Sequence, residues 1–546
     1  MLLAVAVTLR SMPLWEVARF DELYHVLAAE GWLATKEFRI GDGIYDRGSV
    51  FTLLTALSFK LFGVSLEAAR LPSIIAGAAL VPLVFLWTSR VAGNGAAWFA
   101  AGLLCIDPTA IAISHFARFY ALQGLLVWLA AIGTYRLFTT RNSAFSFVGI
   151  AVGSAACFLV ALDLQVTSLT GLAGMLAWVG AMFVLPWLWS RPVPERLKWL
   201  GAGATVAIIG GFAVIYSGMA ARLLDVYTGA ELWTAGQKGI FWFYHWLFLK
   251  DYPLLWSLAP VAMIVSLAVR PLPSSFCISI FLASVLILSF GGSKGLRFVY
   301  FTLPFFFVFL GIAVQAVLPS LLKYLRTIFA AACSGIHLRL SERVVAVLPG
   351  ALLAIVVVAT PPVSMTLAMI SGLVDAPMTI KERWPEAASK LEPWLRNEPF
   401  ILAGSELHVL HYLGRFDIAL SKSRLGELED PSEFSRDHRT GQPVISTAAS
   451  LERILDCVSE GLIVSTESYW GRGYEIDESM ANLIERRTVR LDAPSGIRAY
   501  HWKSDARGSD ASCERVSGLL QRESQALRPG GTGDAGERGV SAARGD

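Results

Sequence analysis

The residues best suited to chemistry stand in three short stretches. Two adjacent carboxylates, Asp21 and Glu22, lie in ARFDELYHVLAAEGWL. Neighbouring positions on a helix point about 100° apart, so the pair cannot face one target equally. One acid can act while the other caps, orients or helps hold a cation, and a helix starting here would favour both in its first turn, with Asp21 as N-cap. The second stretch, SHFARFYALQGLL at 114–126, brings His115, Arg118 and Tyr120 close together. The planar fork of an arginine holds a phosphate bidentately, or snorkels to lipid headgroups from a helix end. The third, GGSKGLRFVYFTLP at 291–304, puts Lys294 and Arg297 at another helix start. Asp107 and Asp163 are further acids near the ends of apolar runs, each a cap or a site member.

The chain that positions these groups is strongly apolar. It has 546 residues, 55% hydrophobic and 16% charged, with mean hydropathy +0.55. An ordinary soluble chain carries about 25% charged residues. These values exclude a soluble enzyme, a disordered protein and a collagen-like fibre, and leave a polytopic membrane protein. Lys+Arg 46 against Asp+Glu 43 gives +3, too balanced for a nucleic-acid partner. Six cysteines and eight histidines are thinly spread, with no CxxC and no zinc spacing; Cys457 and Cys513 are far apart. Neither an essential disulfide nor a structural zinc is expected.

About 20 apolar residues cross a bilayer. Candidate spans are 71–90, 95–113, 120–138, 144–162, 166–190, 199–217, 253–269, 275–290, 297–318 and 344–362. The opening run MLLAVAVTL is read as the outer half of a short first span, giving about eleven in all. Basic residues gather at Arg90, at Arg136 and Arg141, at Arg191, Arg196 and Lys198, at Arg270, and at Lys323, Arg326, Arg339 and Arg343. These places are every second loop, which makes them cytoplasmic. The three chemistry-bearing stretches then all lie outside. Cations at outer span ends run against that rule, and an anionic headgroup or phosphate is the simplest reason for them.

Residues 1–370 are thus read as the transmembrane domain, with a long first outer loop at 10–70. That loop holds an amphipathic stretch around Leu23–Leu33 and an apolar run at 49–63, both read as interfacial helices. The aromatic-rich segment 218–252 has the composition of a membrane–water boundary. Residues 371–505 read as a small α/β domain on the outer face, with strands at FILAGSE (400–406), GLIVSTES (461–468) and GIRAYHW (496–502) and helices at 384–396 and 447–459. The Gly-, Ser-, Arg- and Asp-rich tail 506–546 reads as disordered.

Taken in order, several stretches resemble the GT-C glycosyltransferases, and within them the branch of bacterial protein O-mannosyltransferases, lipid A aminoarabinose transferase and related lipopolysaccharide-core transferases. They are FDE at 20–22, LFGVSLEAARLPSIIAG at 61–77, ARFYAL at 117–122, KGLRFVYFTLP at 294–304 and VLHYLGRFDIAL at 409–420. Two features depart from the pattern. YDRGSVF puts Arg47, Gly48 and Ser49 where that family often has prolines, and ALDLQV puts Asp163 and Gln165 where it often has a histidine.

The resemblance implies a GT-C fold and a transfer of sugar from a polyprenyl-phosphate donor to an envelope glycan, glycolipid or protein acceptor. It places the enzyme in the bacterial cytoplasmic (inner) membrane, multi-pass, with the site on the periplasmic face. It makes Asp21 the general base, with Glu22 its neighbour or a cation ligand, and the transfer inverting. Arg118, Lys294 and Arg297 are candidates for the donor phosphate, with Tyr120 donating a hydrogen bond; Arg70, His115 and Asp163 are supporting candidates. A divalent cation, Mg or Mn, serves some relatives. No GxGxxG follows a strand and no DxD occurs, in keeping with a lipid-borne donor. The rival reading is a multi-pass transporter or lipid flippase, which would hold ionisable residues mid-span within repeated halves.

Overall fold

The computed structural model describes residues 1–546 apart from 13–16, 142, 217, 219, 222–238, 336–359, 378, 398, 422–434, 438, 472–474, 505–512 and 514–546. It divides into two compact units. The first comprises Met1–Pro385, Leu410–Leu413 and Asp437–Gln442; the second comprises Glu386–Val409, Gly414–Arg436 and Pro443–Asp546.

The first unit is helical. Among the described residues, six helices are long and apolar enough to cross a membrane: Leu66–Val91, Tyr120–Thr139, Ala144–Leu164, Ser168–Trp189, Pro271–Ser289 and Leu296–Ile328. Counting two bent pairs, Asn94–Ile106 with Pro108–Ser114 and Phe243–Asp251 with Pro253–Val269, brings the number to as many as eight. The chain is a multi-pass membrane protein. The run expected at 199–217 lies in the helix Val193–Tyr216, that at 344–362 falls mostly outside the described residues, and the opening run forms the nine-residue helix Leu2–Arg10. Small residues let these helices approach closely. A Cβ on Gly174 would lie 2.5 Å from the Ile280 Cα, and one on Gly311 would lie 2.6 Å from the Ala96 carbonyl oxygen. Trp128 and Trp178 are buried in the interior between them.

The bend at Asp107 has a chemical cause. Pro108 has no N–H, so the Leu104 carbonyl loses its helical partner. Arg10, fully buried, supplies the missing donors: Nη2 donates to Leu104 O at 3.0 Å and Nη1 to Cys105 O at 3.2 Å. Asp107 caps the next helix, accepting from Ala110 N–H at 2.7 Å, and its other oxygen accepts from the Tyr252 hydroxyl at 2.7 Å. Asp107 is therefore a satisfied cap.

The 10–70 loop carries helix Phe20–Thr35, a two-stranded ribbon pairing Arg39–Ile40 with Gly43–Ile44, and helix Ser49–Phe62. The last is 14 residues, about 21 Å long and too short to span. Of the aromatic segment 218–252, residues 222–238 lie outside the described residues, and Phe243–Asp251 is a helix.

The second unit is built on a seven-stranded sheet. The strands are β1 (Phe400–Ala403), β2 (Ile418–Leu420), β3 (Ser435–Arg436), β4 (Pro443–Ile445), β5 (Glu460–Thr466), β6 (Val489–Arg490) and β7 (Ile497–Lys503), in spatial order β3-β4-β2-β1-β5-β7-β6. The centre is parallel and the edges antiparallel. Helices Ala448–Cys457 and Glu478–Arg487 lay Leu451, Ile454, Met480 and Ile484 on its core. Each starts at a side-chain cap, Thr447 and Asp477. One expectation is corrected here: Cys457 and Cys513, 56 residues apart in sequence, form a disulfide with Cα atoms 5.3 Å apart. Spacing alone hid the pairing, because the chain returns Cys513 to the end of the Ala448–Cys457 helix. The tail from 506, Cys513 excepted, lies outside the described residues.

Candidate active site

Helix Phe20–Thr35 fixes the acidic pair. Arg19 precedes it with an extended backbone, and its N–H donates to Glu22 Oε2 at 2.8 Å, closing the first turn. The two carboxylates then diverge. Glu22 is fully buried. Arg70 grips it with Nε on Oε1 at 3.0 Å and Nη2 on Oε2 at 3.1 Å, and the Ala117 N–H adds a bond to Oε1 at 2.8 Å. Burial raises its pKa, but Arg70 and the backbone donors outweigh that and hold it below the usual range. Every oxygen of Glu22 is engaged, so it ties the 10–70 loop to the 114–119 turn.

Asp21 points elsewhere. Its side chain keeps 30% of its area exposed, and Oδ2 accepts from Arg297 Nη1 at 2.5 Å. Burial of the site pushes this carboxyl up, but the fields of Arg118, Arg297 and Arg19 prevail and hold it well below the ordinary carboxylate range.

Arg118 lies at the same place. Its Nη1 donates to the Asp21 backbone carbonyl at 2.7 Å, and its guanidinium sits over Phe119 at 5.2 Å and Tyr24 at 5.7 Å. Ser73 anchors its backbone, Oγ donating to Arg118 O at 2.8 Å. The Arg118 Nε is buried and has no hydrogen-bond partner among the described residues. Tyr120 opens the next helix with its ring 6.0 Å from the Arg297 guanidinium. Asp21, Arg118, Tyr120 and Arg297 thus come together from three stretches separated by up to 276 positions.

The other expected residues sit around this group or apart from it. Arg70 and His115 form a supporting row: Arg70 Nη1 and His115 Nε2 are 3.4 Å apart, and His115 Nδ1 is 3.5 Å from Arg10 O. Lys294 is buried and donates to Gly291 O at 2.7 Å, which stiffens its own turn; burial lowers its pKa. Asp163 is exposed at the end of helix Ala144–Leu164, and its neighbour Gln165 accepts from Arg47 Nη2 at 2.8 Å.

Sequence reasoning did not assign several residues that the fold brings here. Arg19 adds a third positive charge beside Asp21. Arg47, seen only as a departure from the proline pattern, has its guanidinium 5.8 Å from the Phe119 ring. His25, one turn after Asp21, is buried between Tyr45, Phe51 and Phe119. Burial and the nearby Arg118 and Arg47 charges drive its pKa well down, leaving it neutral. Arg47 had a signal in its unusual position; the burial of His25 had none.

A divalent cation does not fit this donor set. Glu22 has no oxygen to spare, and an ion at Asp21 would meet one carboxylate and three guanidinium groups. Among the described residues, no group of three His, Cys, Asp or Glu side chains is placed to hold a metal. The arrangement suits an anion that meets Arg118 and Arg297, next to a carboxylate able to take a proton.

No protein-family model and no curated protein matches the chain. Solved structures do. ArnT from Cupriavidus metallidurans bound to undecaprenyl phosphate aligns at 15% identity and TM-score 0.60, covering 93% of this chain and 98% of ArnT. Its apo form aligns at 14% identity and TM-score 0.57, covering 92% and 97%. The apo oligosaccharyltransferase of Archaeoglobus fulgidus aligns at 14% identity and TM-score 0.51, covering 93% and 75%. These neighbours are GT-C glycosyltransferases, and this chain has the GT-C fold.

Proposed function

We propose that the protein is a membrane glycosyltransferase that moves a sugar from a polyprenyl-phosphate donor to a hydroxyl of an envelope glycan, glycolipid or protein. The transfer takes place on the periplasmic face of a bacterial inner membrane, where residues 371–505 also lie. The observation that carries the reading is the Asp21 carboxylate set among Arg297, Arg118 and Arg19 at the head of the first outer-loop helix. The fold supports it, and so does the undecaprenyl phosphate bound to the ArnT neighbour.

The residues divide the work as follows. The acceptor oxygen attacks the anomeric carbon from the face opposite the phosphate, and its proton passes to Asp21. The bond from that carbon to the phosphate oxygen breaks, the electron pair leaves with polyprenyl phosphate, and the configuration inverts. Arg118 and Arg297 face the charge that grows on the leaving phosphate, where preorganised cations are most effective, and Tyr120 donates a hydrogen bond. Arg118 brings a buried Nε with a donor to spare. An aspartate paired with an arginine is a weak base. A donor phosphate that draws Arg297 off Asp21 raises the carboxylate's basicity as the substrate arrives. Glu22 and Arg70 hold the loop, and Lys294 shapes the 291–295 turn.

The test uses membranes bearing the intact chain or its Asp21→Asn variant, given radiolabelled polyprenyl-phosphate sugars and envelope acceptors. The expected result is donor consumption that falls about 10²–10⁴-fold in the variant. Equal consumption in both removes Asp21 from the role of base. No consumption by either form, with native acceptors present, favours a transporter.

A further inference from the structure

The turn Asp437–Gln442 packs as part of the first unit, although its flanking strands β3 and β4 belong to the second. Asp437 preorganises it, accepting from the Thr440 hydroxyl and the Arg439 N–H at 3.0 Å each. The turn then meets the ribbon of the first outer loop. Thr440 O accepts from Asp42 N–H at 2.9 Å and Gly43 N–H at 2.8 Å, and Gln442 Nε2 donates to Asp42 Oδ2 at 3.2 Å. The two backbones are pressed together through glycines. A Cβ on Gly43 would lie 2.5 Å from the Arg439 carbonyl carbon, and one on Gly441, whose φ is +70°, would lie 2.7 Å from the Gly43 nitrogen. At the end of this contact Arg439 Nη1 donates to the Tyr24 hydroxyl, with the guanidinium 5.0 Å from the ring centroid.

Tyr24 links the turn to the chemistry. It stands one helical turn after Asp21, stacks on Tyr45 at 4.9 Å, and lies 5.7 Å from the Arg118 guanidinium. Arg118 in turn bonds the Asp21 backbone. A shift of the Tyr24 ring removes an aromatic surface that confines Arg118, which among the described residues also lies over Phe119.

We propose that the 437–442 turn is a strap on the first outer loop and that Arg439 is a positioning residue, acting through Tyr24 to aim Arg118 at the donor phosphate. This rests on the transferase reading for its substrate, but the contact itself does not.

The experiment therefore has two readouts on the full chain: amide exchange at residues 42–43 and affinity for undecaprenyl phosphate. Arg439→Ala is expected to speed exchange about tenfold or more and to weaken the lipid phosphate about fivefold. Arg439→Lys, which keeps a cation and a donor, is expected to restore both to within about twofold. If Arg439→Ala fails to fold, Tyr24→Phe removes only the hydroxyl, and the same two shifts are expected in smaller degree. Unchanged exchange overturns the strap. Faster exchange with unchanged affinity, or a lysine that rescues neither, overturns the positioning role. A wild-type chain that ignores undecaprenyl phosphate sinks the transferase reading, while exchange still decides the strap.

Discussion

Arg297 holds the Asp21 carboxylate through a 2.5 Å contact across 276 positions of sequence. The pairing sets a pH dependence with a definite sign. Asp21 has a folded-state pKa below its ordinary value of about 3.9. The stabilisation is therefore fully present above that ordinary value and is lost as pH falls through the depressed one. Arg297→Gln removes the nearest cation, so the acid limb of the kcat/KM profile is expected to move up by about one pH unit. The same variant is expected to lose about 10²–10³-fold in kcat, because the leaving phosphate loses a fixed charge. A pH–rate profile of the two forms measures both. An acid limb that stays in place separates Asp21 from the rate.

The adjacent acids are expected to fail differently. Glu22→Gln leaves the Arg70 guanidinium, 3% exposed, buried without its counter-charge. Breaking such a pair costs about 3–5 kcal/mol, so thermal melts of the purified protein are expected to show a large loss of stability. Asp21→Asn, at a partly exposed carboxylate, is expected to lose less stability than Glu22→Gln while losing activity. A Glu22→Gln protein of wild-type stability contradicts the structural role assigned to Glu22.

This division shows where sequence reading stops. The acidic pair, the arginines at 118 and 297 and the apolar spans were legible because residue type and span ends mark them. Helical spacing separates Asp21 from Glu22, but only the position of Arg70, 48 residues on, decides which acid is locked. The 461–468 and 496–502 strands were visible as apolar runs, whereas β2, β3 and β4 are two or three residues long and carry no periodic signal. Arg439 lay beyond reach because its partner Tyr24 is 415 positions away, and nothing local distinguishes it from other arginines.

The bend at Pro108 yields a coupling prediction. Arg10→Met strips donors from the Leu104 and Cys105 carbonyls, each costing about 1–3 kcal/mol when left buried and unpaired. Pro108→Ala returns an N–H to Leu104, so Arg10→Met is expected to cost less in that background. A double-mutant cycle by thermal denaturation is expected to give a coupling of about 1 kcal/mol or more. Strict additivity contradicts the account of the bend.

The disulfide carries the last prediction. Cys457 and Cys513 close a loop with a sequence separation of 56. Cross-linking over that length restricts the unfolded chain by about 4 kcal/mol in the entropic picture. Cys457 ends a helix whose Leu451 and Ile454 line the sheet core, so the link also ties Cys513 to that core. Such bonds persist in oxidising compartments, which agrees with the periplasmic placement proposed for this unit. Reductant is expected to lower the melting temperature of the wild-type chain, and Cys457→Ser or Cys513→Ser to lower it by a similar amount and abolish the response. A wild-type melt indifferent to reductant contradicts a stabilising link.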